Sequence, residues 1–239
     1  MDSIKPYIAF FLLLFVLSTG IGQMKSGVII FERKTNLLKK YDNEQSRKWL
    51  GDKKVKIDKF ELHFTPTQSY FVPIKVPDEG RMGWLTMKNT VHQDLENNER
   101  LSIFNMWGES IYVKDVLVKR EWKVTERKRK IAGYECRRAI WVKNDSTKIY
   151  AWYTDAILPS CGPETFNGLP GTILGLATED GGVVYFAKSV KEQYADINEL
   201  LPNTKKKDVL TEDELKVQLE KRTKGNPWMK NVINEIFAW

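Results

Sequence analysis

Apolar and polar positions along this chain alternate in short runs, and the dominant period is two. Residues 28–33 are β-branched and aromatic, and residues 56–64 (KIDKFELHF) alternate with Ile57 and Phe60 out of strict step. Such alternation puts one face of a strand on a core and the other in water. Residues 70–76 form another run, interrupted by Pro73, whose missing amide donor predicts an edge or a bulge. Residues 65–69 then read as a hairpin connection, and the polar stretch 34–49 as a short helix or a loop. Residues 100–107 and 110–118 flank Gly108-Glu109, and a Gly placed first in a two-residue connection predicts a type II′ turn. Residues 121–127, 134–142, 148–154, 172–178 and 183–190 continue the pattern. KNDST (143–147) and EDGG (179–182) supply turn chemistry between them. The expected fold is mainly β (α+β), a single curved antiparallel sheet.

The tail changes period. Thr211-Glu212-Asp213-Glu214 matches a capping box, with Leu210 and Leu215 at the two staple positions. A helix over 212–221 is expected, stopped by Gly225 and Pro227. Met229, Val232, Ile233 and Ile236 recur at helical spacing, so residues 228–239 predict a second short helix. One or two packed C-terminal helices complete the expected architecture. Neither repeats nor an internal linker interrupt residues 23–239, which read as a single β-rich domain.

Composition matters mainly through the first residues. The unbroken apolar run 8–17 (IAFFLLLFVL) is too short to span a bilayer and suits the h-region of a signal peptide. Gly20 and Gly22 supply small residues before a cleavage point at Gln23, so residues 1–22 are read as a leader. The protein is then exported, periplasmic or outer-membrane associated or secreted, and not an integral membrane protein after cleavage. The formal charge of +7 fits anionic partners. Export argues against nucleic acid among them. In an oxidising compartment Cys136 and Cys161 predict one disulfide, worth roughly 3 kcal/mol in the chain-entropy account. The alternative is two unpaired buried thiols.

The stretch 167–176, NGLPGTILGL, has three possible meanings. A phosphate loop needs a Gly-Lys-Ser/Thr, and Gly171 is followed by Thr172 and Ile173. A GxxxG helix contact has meaning only in a long apolar span, and Glu179-Asp180 ends this one early. A turn fits. Asn167-Gly168 tolerates left-handed dihedrals, Leu169 before Pro170 is pushed to an extended state, and Pro170-Gly171 suits the centre of a type II turn. Gly175 in the following strand leaves room for a ligand, a partner, or the protein's own side chains.

WKVTERKRKIAGYECRRA (122–139), AWYTDAI (151–157), GPETF (162–166) and GLPGTILGL (168–176), in this order, resemble the GLPGLI family, small exported proteins of Gram-negative bacteria. Thr172 departs from the family name, which has Leu there. The resemblance implies export and one β-rich domain; it implies no reaction.

Candidate chemistry is sparse. His63 and His92 lack ligand spacing, so neither a metal nor another cofactor is expected. No GxSxG elbow is present, and no catalytic residue is assigned. Asp155, Glu164 and Asp180 lie near the Gly-rich corner, where two of them form a conceivable acid/base couple. Residues 119–130 carry seven Lys or Arg against two Glu, an anion-facing surface or a solvated strand face. Tyr134, Trp141, Trp152, Tyr153 and Phe166 cluster around the matched block. If they share the inner face of a bowed sheet, that face is an apolar groove; a tail helix filling it makes ordinary core. Tyr134, Trp152, Tyr153 and Phe166, with the corner residues Gly168, Leu169, Pro170 and Gly171 and with Gly175, form the candidate binding surface. The expected function is non-enzymatic binding of an apolar ligand, a peptide or an envelope membrane-protein partner. A hydrolase using carboxylates near residues 162–171 and a structural adaptor of an outer-membrane complex are the rivals.

Overall fold

The computed structural model describes residues 22–76, 80–144, 147–194, 196–205, 207–222, 233, 236 and 237. The expected leader lies outside the described residues except for Gly22, as do Asp145 and Ser146 of the KNDST turn. Of the expected last helix only Ile233, Ile236 and Phe237 are described. The Phe237 amide donates to the Ile233 carbonyl at 3.2 Å, a helical bond.

One open sheet runs through all described strands. They are β1 (Gly27–Asn36), β2 (Val55–Phe64), β3 (Gln68–Pro73), β4 (Thr90–Asp94), β5 (Glu99–Met106), β6 (Glu109–Val116), β7 (Lys123–Ile131), β8 (Tyr134–Asn144), β9 (Thr147–Thr154), β10 (Thr172–Thr178), β11 (Val183–Glu192) and β12 (Val209–Leu210). Their order is β12-β6-β5-β4-β3-β2-β1-β11-β10-β9-β8-β7. The short β12 pairs parallel to β6, so the sheet is mixed rather than wholly antiparallel. Among the described residues four short α-helices accompany it, α1 (Leu37–Lys40), α2 (Glu44–Leu50), α3 (Ile197–Leu200) and α4 (Glu212–Arg222), besides a 3-10 turn at Gly80–Leu85. Two of them sit between β1 and β2, not at the C-terminus. Asn36 and Asn43 cap these two, each side chain accepting from amides two or three residues on.

Register explains much of the burial. Phe31 lies opposite Phe60 and Ile29 opposite Leu62, so all four share the inner face. Ile57 is exposed because it points outward with Lys59. Pro73 ends β3 beyond its pairing with β4, which stops at Phe71, so its missing donor costs no ladder bond on that side. The hairpin after β5 turns at Trp107-Gly108, with φ of 53° and 81°. Two left-handed residues make it type I′-like, one position earlier than the expected Gly108-Glu109 turn.

At the other end the sheet bends sharply. β7 and β11 are four places apart, about 19 Å in a flat sheet. Yet the Arg129 guanidinium of β7 sits 4.7 Å over the Phe186 ring of β11.

The main core lies under β1–β4 and β8–β11 and includes Ile157, Cys161, Phe166 and Leu169 of the β9–β10 connection. A second cluster packs Leu215 and Leu219 of α4, with Ile233 and Ile236, against Phe104, Met106 and Val113 of β5 and β6. The tail therefore covers the β5–β6 end, and the connection 155–171 fills the centre.

Candidate functional site

The corner is tighter than a type II turn. The Gly171 amide donates to the Leu169 carbonyl at 2.8 Å, which closes a three-residue turn around Pro170. The Thr172 amide reaches instead to Ile157 O at 3.2 Å, and the Ile173 amide to Cys161 O at 2.8 Å. Gly171 has φ +127°, and a Cβ there would run into the Thr154 carbonyl. Thr172, which replaces the family's Leu, is fully buried and donates its hydroxyl to Pro159 O at 2.7 Å. Gly175 lies opposite Trp152 and Phe186, and a Cβ would come within 2.9 Å of Ile131 and 3.0 Å of Phe186. Its space is taken by the protein's own side chains.

Just before the corner, four consecutive residues are clamped to the sheet. Glu164 has φ +54°, a left-handed state that a side chain adopts only under constraint. Its carboxylate accepts from the Tyr185 hydroxyl at 2.6 Å and lies 3.7 Å from Arg33, and its carbonyl accepts from Gln93. Thr165 accepts from Arg120 at its carbonyl (2.8 Å) and at its hydroxyl (2.7 Å). Phe166 is enclosed by Trp122 and Trp141, with the Arg120 guanidinium 4.3 Å from its centroid. Asn167 donates to Gln93 at 2.6 Å and accepts from the Trp122 indole at 2.9 Å.

On the Arg33 side of the clamp the charges are buried and paired. Arg33 lies opposite Asp58 across the β1–β2 register and binds it at 2.9 Å; Thr86 donates to the same carboxylate. Burial pushes the Asp58 carboxyl up, but Arg33 and Thr86 outweigh it and hold the group below its ordinary value. Burial also opposes the Arg33 charge, and Tyr185, Glu164 and Asp58 more than offset it. Burial drives the Tyr185 hydroxyl well above its ordinary value. A buried Asp–Arg–Glu–Tyr chain of this kind fixes one arrangement of the segment it holds.

The candidate residues do not form one surface. Tyr153 and Phe166 are buried in the core, whereas Trp152, on the opposite face of β9, packs with Tyr150, Phe186 and Arg129. Tyr134 is half-buried at the start of β8. Leu169 is buried, and Gly168 and Pro170 are exposed at the rim. Neither Asp155 nor Asp180 meets Glu164: Asp155 is exposed, and Asp180 closes the β10–β11 hairpin beside Thr178 and Lys39.

Cys136 and Cys161 are both unbridged buried thiols, contrary to the expected disulfide. The Cys136 sulfur contacts Tyr134 O and the Cys161 sulfur Thr172 Oγ1. Burial pushes them up to about 11 and about 12 respectively, so they are inert at neutral pH. His63 lies 3.0 Å from Glu61, and burial depresses His92.

Sequence reasoning missed Arg33, Asp58, Tyr185 and Arg120. The available signal was charge at core parity, since Arg33 continues the Ile29–Phe31 phase of β1. Beside the clamp, between β4–β6, residues 164–165 and the tail, lies a small cavity with space for one or two waters.

These features define a mainly β protein whose central connection is a buried clamp. The family described as a protein of unknown function, Porph_ging, matches residues 141–175, which run from β8 through the clamp to Gly175 and agree with the resemblance above. No curated protein matches the chain. Two crystal structures of PNGF-II share the fold. The C2 form shows 20% identity and a TM-score of 0.55 over 81% of this chain and 32% of that one. The P21 form shows 20% and 0.52 over 75% and 30%. This chain thus spans about a third of the length of PNGF-II. An uncharacterized conserved protein from Thermus thermophilus aligns at 7% identity over 79% of this chain and 91% of its own, with a TM-score of 0.43.

Proposed function

We propose that this is a non-enzymatic binding protein of the bacterial cell envelope, and that it takes an extended acidic segment of a partner protein along β7. The observation that carries this reading is the state of that strand. β7 ends the sheet, so its outer backbone groups have no neighbouring strand among the described residues. Every residue from Lys123 to Lys130 except Thr125 is exposed. Lys123, Arg127 and Lys130 make no ion pair among the described residues. An open edge accepts another strand through main-chain bonds. Its basic side chains repel a second copy of the same edge, because like charges opposite one another destabilise pairing, and they favour an acidic strand.

The rival readings have less support. An apolar ligand on the inner face of the bowed sheet competes with Phe166, Leu169 and their neighbours, which already fill it. A hydrolase needs a free carboxylate near the corner, and Glu164 is held by Tyr185 and Arg33. The envelope location rests on the apolar leader and on the family resemblance.

The test is titration with a peptide alternating Glu and Val, followed by calorimetry at low and high salt. Binding is expected to weaken as salt rises. The triple change Lys123→Glu, Arg127→Glu, Lys130→Glu is expected to weaken it at least about tenfold, as loss of several charge pairs implies. N-methylation of alternate peptide amides is expected to abolish it. Equal binding of the methylated peptide would contradict strand addition.

A further inference from the structure

β7 is not a uniform edge. Its register with β8 shifts between Val124 and Lys128, and residues 128–131 then pair one for one with Arg137, Cys136, Glu135 and Tyr134. A bulge interrupts a ladder, so an incoming strand finds its longest regular template at residues 128–131.

The two faces of this run differ. Lys128 and Lys130 share one face with Glu135 of β8, which lies opposite Lys130 and pairs with Lys128 at 2.8 Å. A carboxylate already in place there opposes a second one. Arg129 and Ile131 point to the other face, the concave side made by the bend of the sheet. Ile131 is buried and packs over Gly175 of β10. The exposed Arg129 sets its guanidinium 4.7 Å from the Phe186 centroid and 5.6 Å from that of Trp152. These two rings lie 6.0 Å apart, on either side of Gly175. The carboxylates on this side of the sheet are Glu32, opposite Phe186, and Glu179, at the Tyr150 hydroxyl; Lys188 and Lys148 engage them. Among the described residues Arg129 has no carboxylate partner.

Stacking on two rings holds the guanidinium plane and leaves its N–H edge for an acceptor, at a smaller entropy cost than a freely moving lysine. Such a fork takes a carboxylate by two parallel bonds. A strand added beyond β7 continues the bend, so its inward side chains enter the concave side beside Arg129. Resting on the reading of strand addition at β7, we propose that Arg129 is the specificity-determining residue of that edge. It pairs with a carboxylate of the incoming strand and so turns the acidic face of that strand to the concave side, away from Glu135.

The probe is a short capped peptide alternating Thr and Val with one Glu at a central Thr position, compared by calorimetry with its Gln counterpart. The wild type is expected to bind the Glu peptide at least about tenfold more tightly. Arg129→Lys keeps the charge but not the planar fork, and should narrow that ratio to about threefold or less. Lys130→Gln removes a charge from the other face and should leave the ratio as it is. A ratio unchanged in Arg129→Lys, or lost in Lys130→Gln, overturns the proposal. If both peptides bind equally and N-methylation of alternate amides abolishes binding, strand addition stands and the role of Arg129 falls. If neither peptide binds, both fall.

Discussion

Gly171 and Gly168 sit three residues apart, both with positive φ, and their tolerance should differ. At Gly171 a methyl group meets the Thr154 carbonyl and an unfavourable φ together. At Gly168 the nearest atom is the Trp122 indole nitrogen at 3.5 Å, an ordinary contact, so only the φ of +88° opposes a side chain. Gly168→Ala should cost about 1 kcal/mol and Gly171→Ala about 3 kcal/mol or more, because backbone strain and a clash add. Urea denaturation of the two variants checks the order; equal losses would contradict the turn geometry. Asp58 makes a second prediction. Its folded carboxyl ionises below its unfolded value, so its contribution is complete above the unfolded value, near pH 4. That contribution is lost as pH falls through the folded value. Urea midpoints should drop steeply below about pH 4. In Asp58→Asn that drop should flatten, from a lower starting stability, since one partner of a buried ion pair is gone.

Elements were legible where their inner positions are apolar and obscure where they are polar. β1, β2 and β11 follow from alternation because Ile29, Phe31, Phe60, Leu62 and Tyr185 mark the core phase, whereas β10 follows from an apolar run buried on both faces from Thr172 to Leu176. β4 (TVHQD) reads as a polar loop, yet its Gln93 is 1% exposed and bonds both Glu164 and Asn167. Its inward side chain is chosen to hold the clamp, not to exclude water, so hydrophobic periodicity cannot reveal it. α4 was legible through local chemistry. The Thr211 amide donates to Glu214 at 2.8 Å and the Glu214 amide to the Thr211 hydroxyl at 3.2 Å, a reciprocal capping box. Thr211→Ala should cost about 1 kcal/mol and lower the melting temperature by a few degrees. Thr211→Ser should restore most of it. Loss of stability in both alike would mean the cap is not the source.

Across the molecule, the sequence placed the bend at Pro170 and the strand after it, but expected a type II turn where the chain makes a tighter one, and could not say what lay around them. The motif's chemistry, Pro170 between glycines, is local and therefore readable. What fills the sheet is decided by partners far along the chain: Arg33, Gln93 and Tyr185 reach residues 164–167 from other strands, and Arg120 from the β6–β7 connection. The same distance hid the pairing of Arg33 with Asp58 and left the two thiols on separate partners. The central claim is that the β9–β10 connection is core and not a surface loop. Amide hydrogen exchange of residues 161–173, followed by mass spectrometry, tests it most directly. Amides of Phe166, Gly171 and Ile173 should exchange only with global unfolding, as slowly as those of β1. Exchange on the timescale of an exposed loop, while β1 stays protected, would contradict the account.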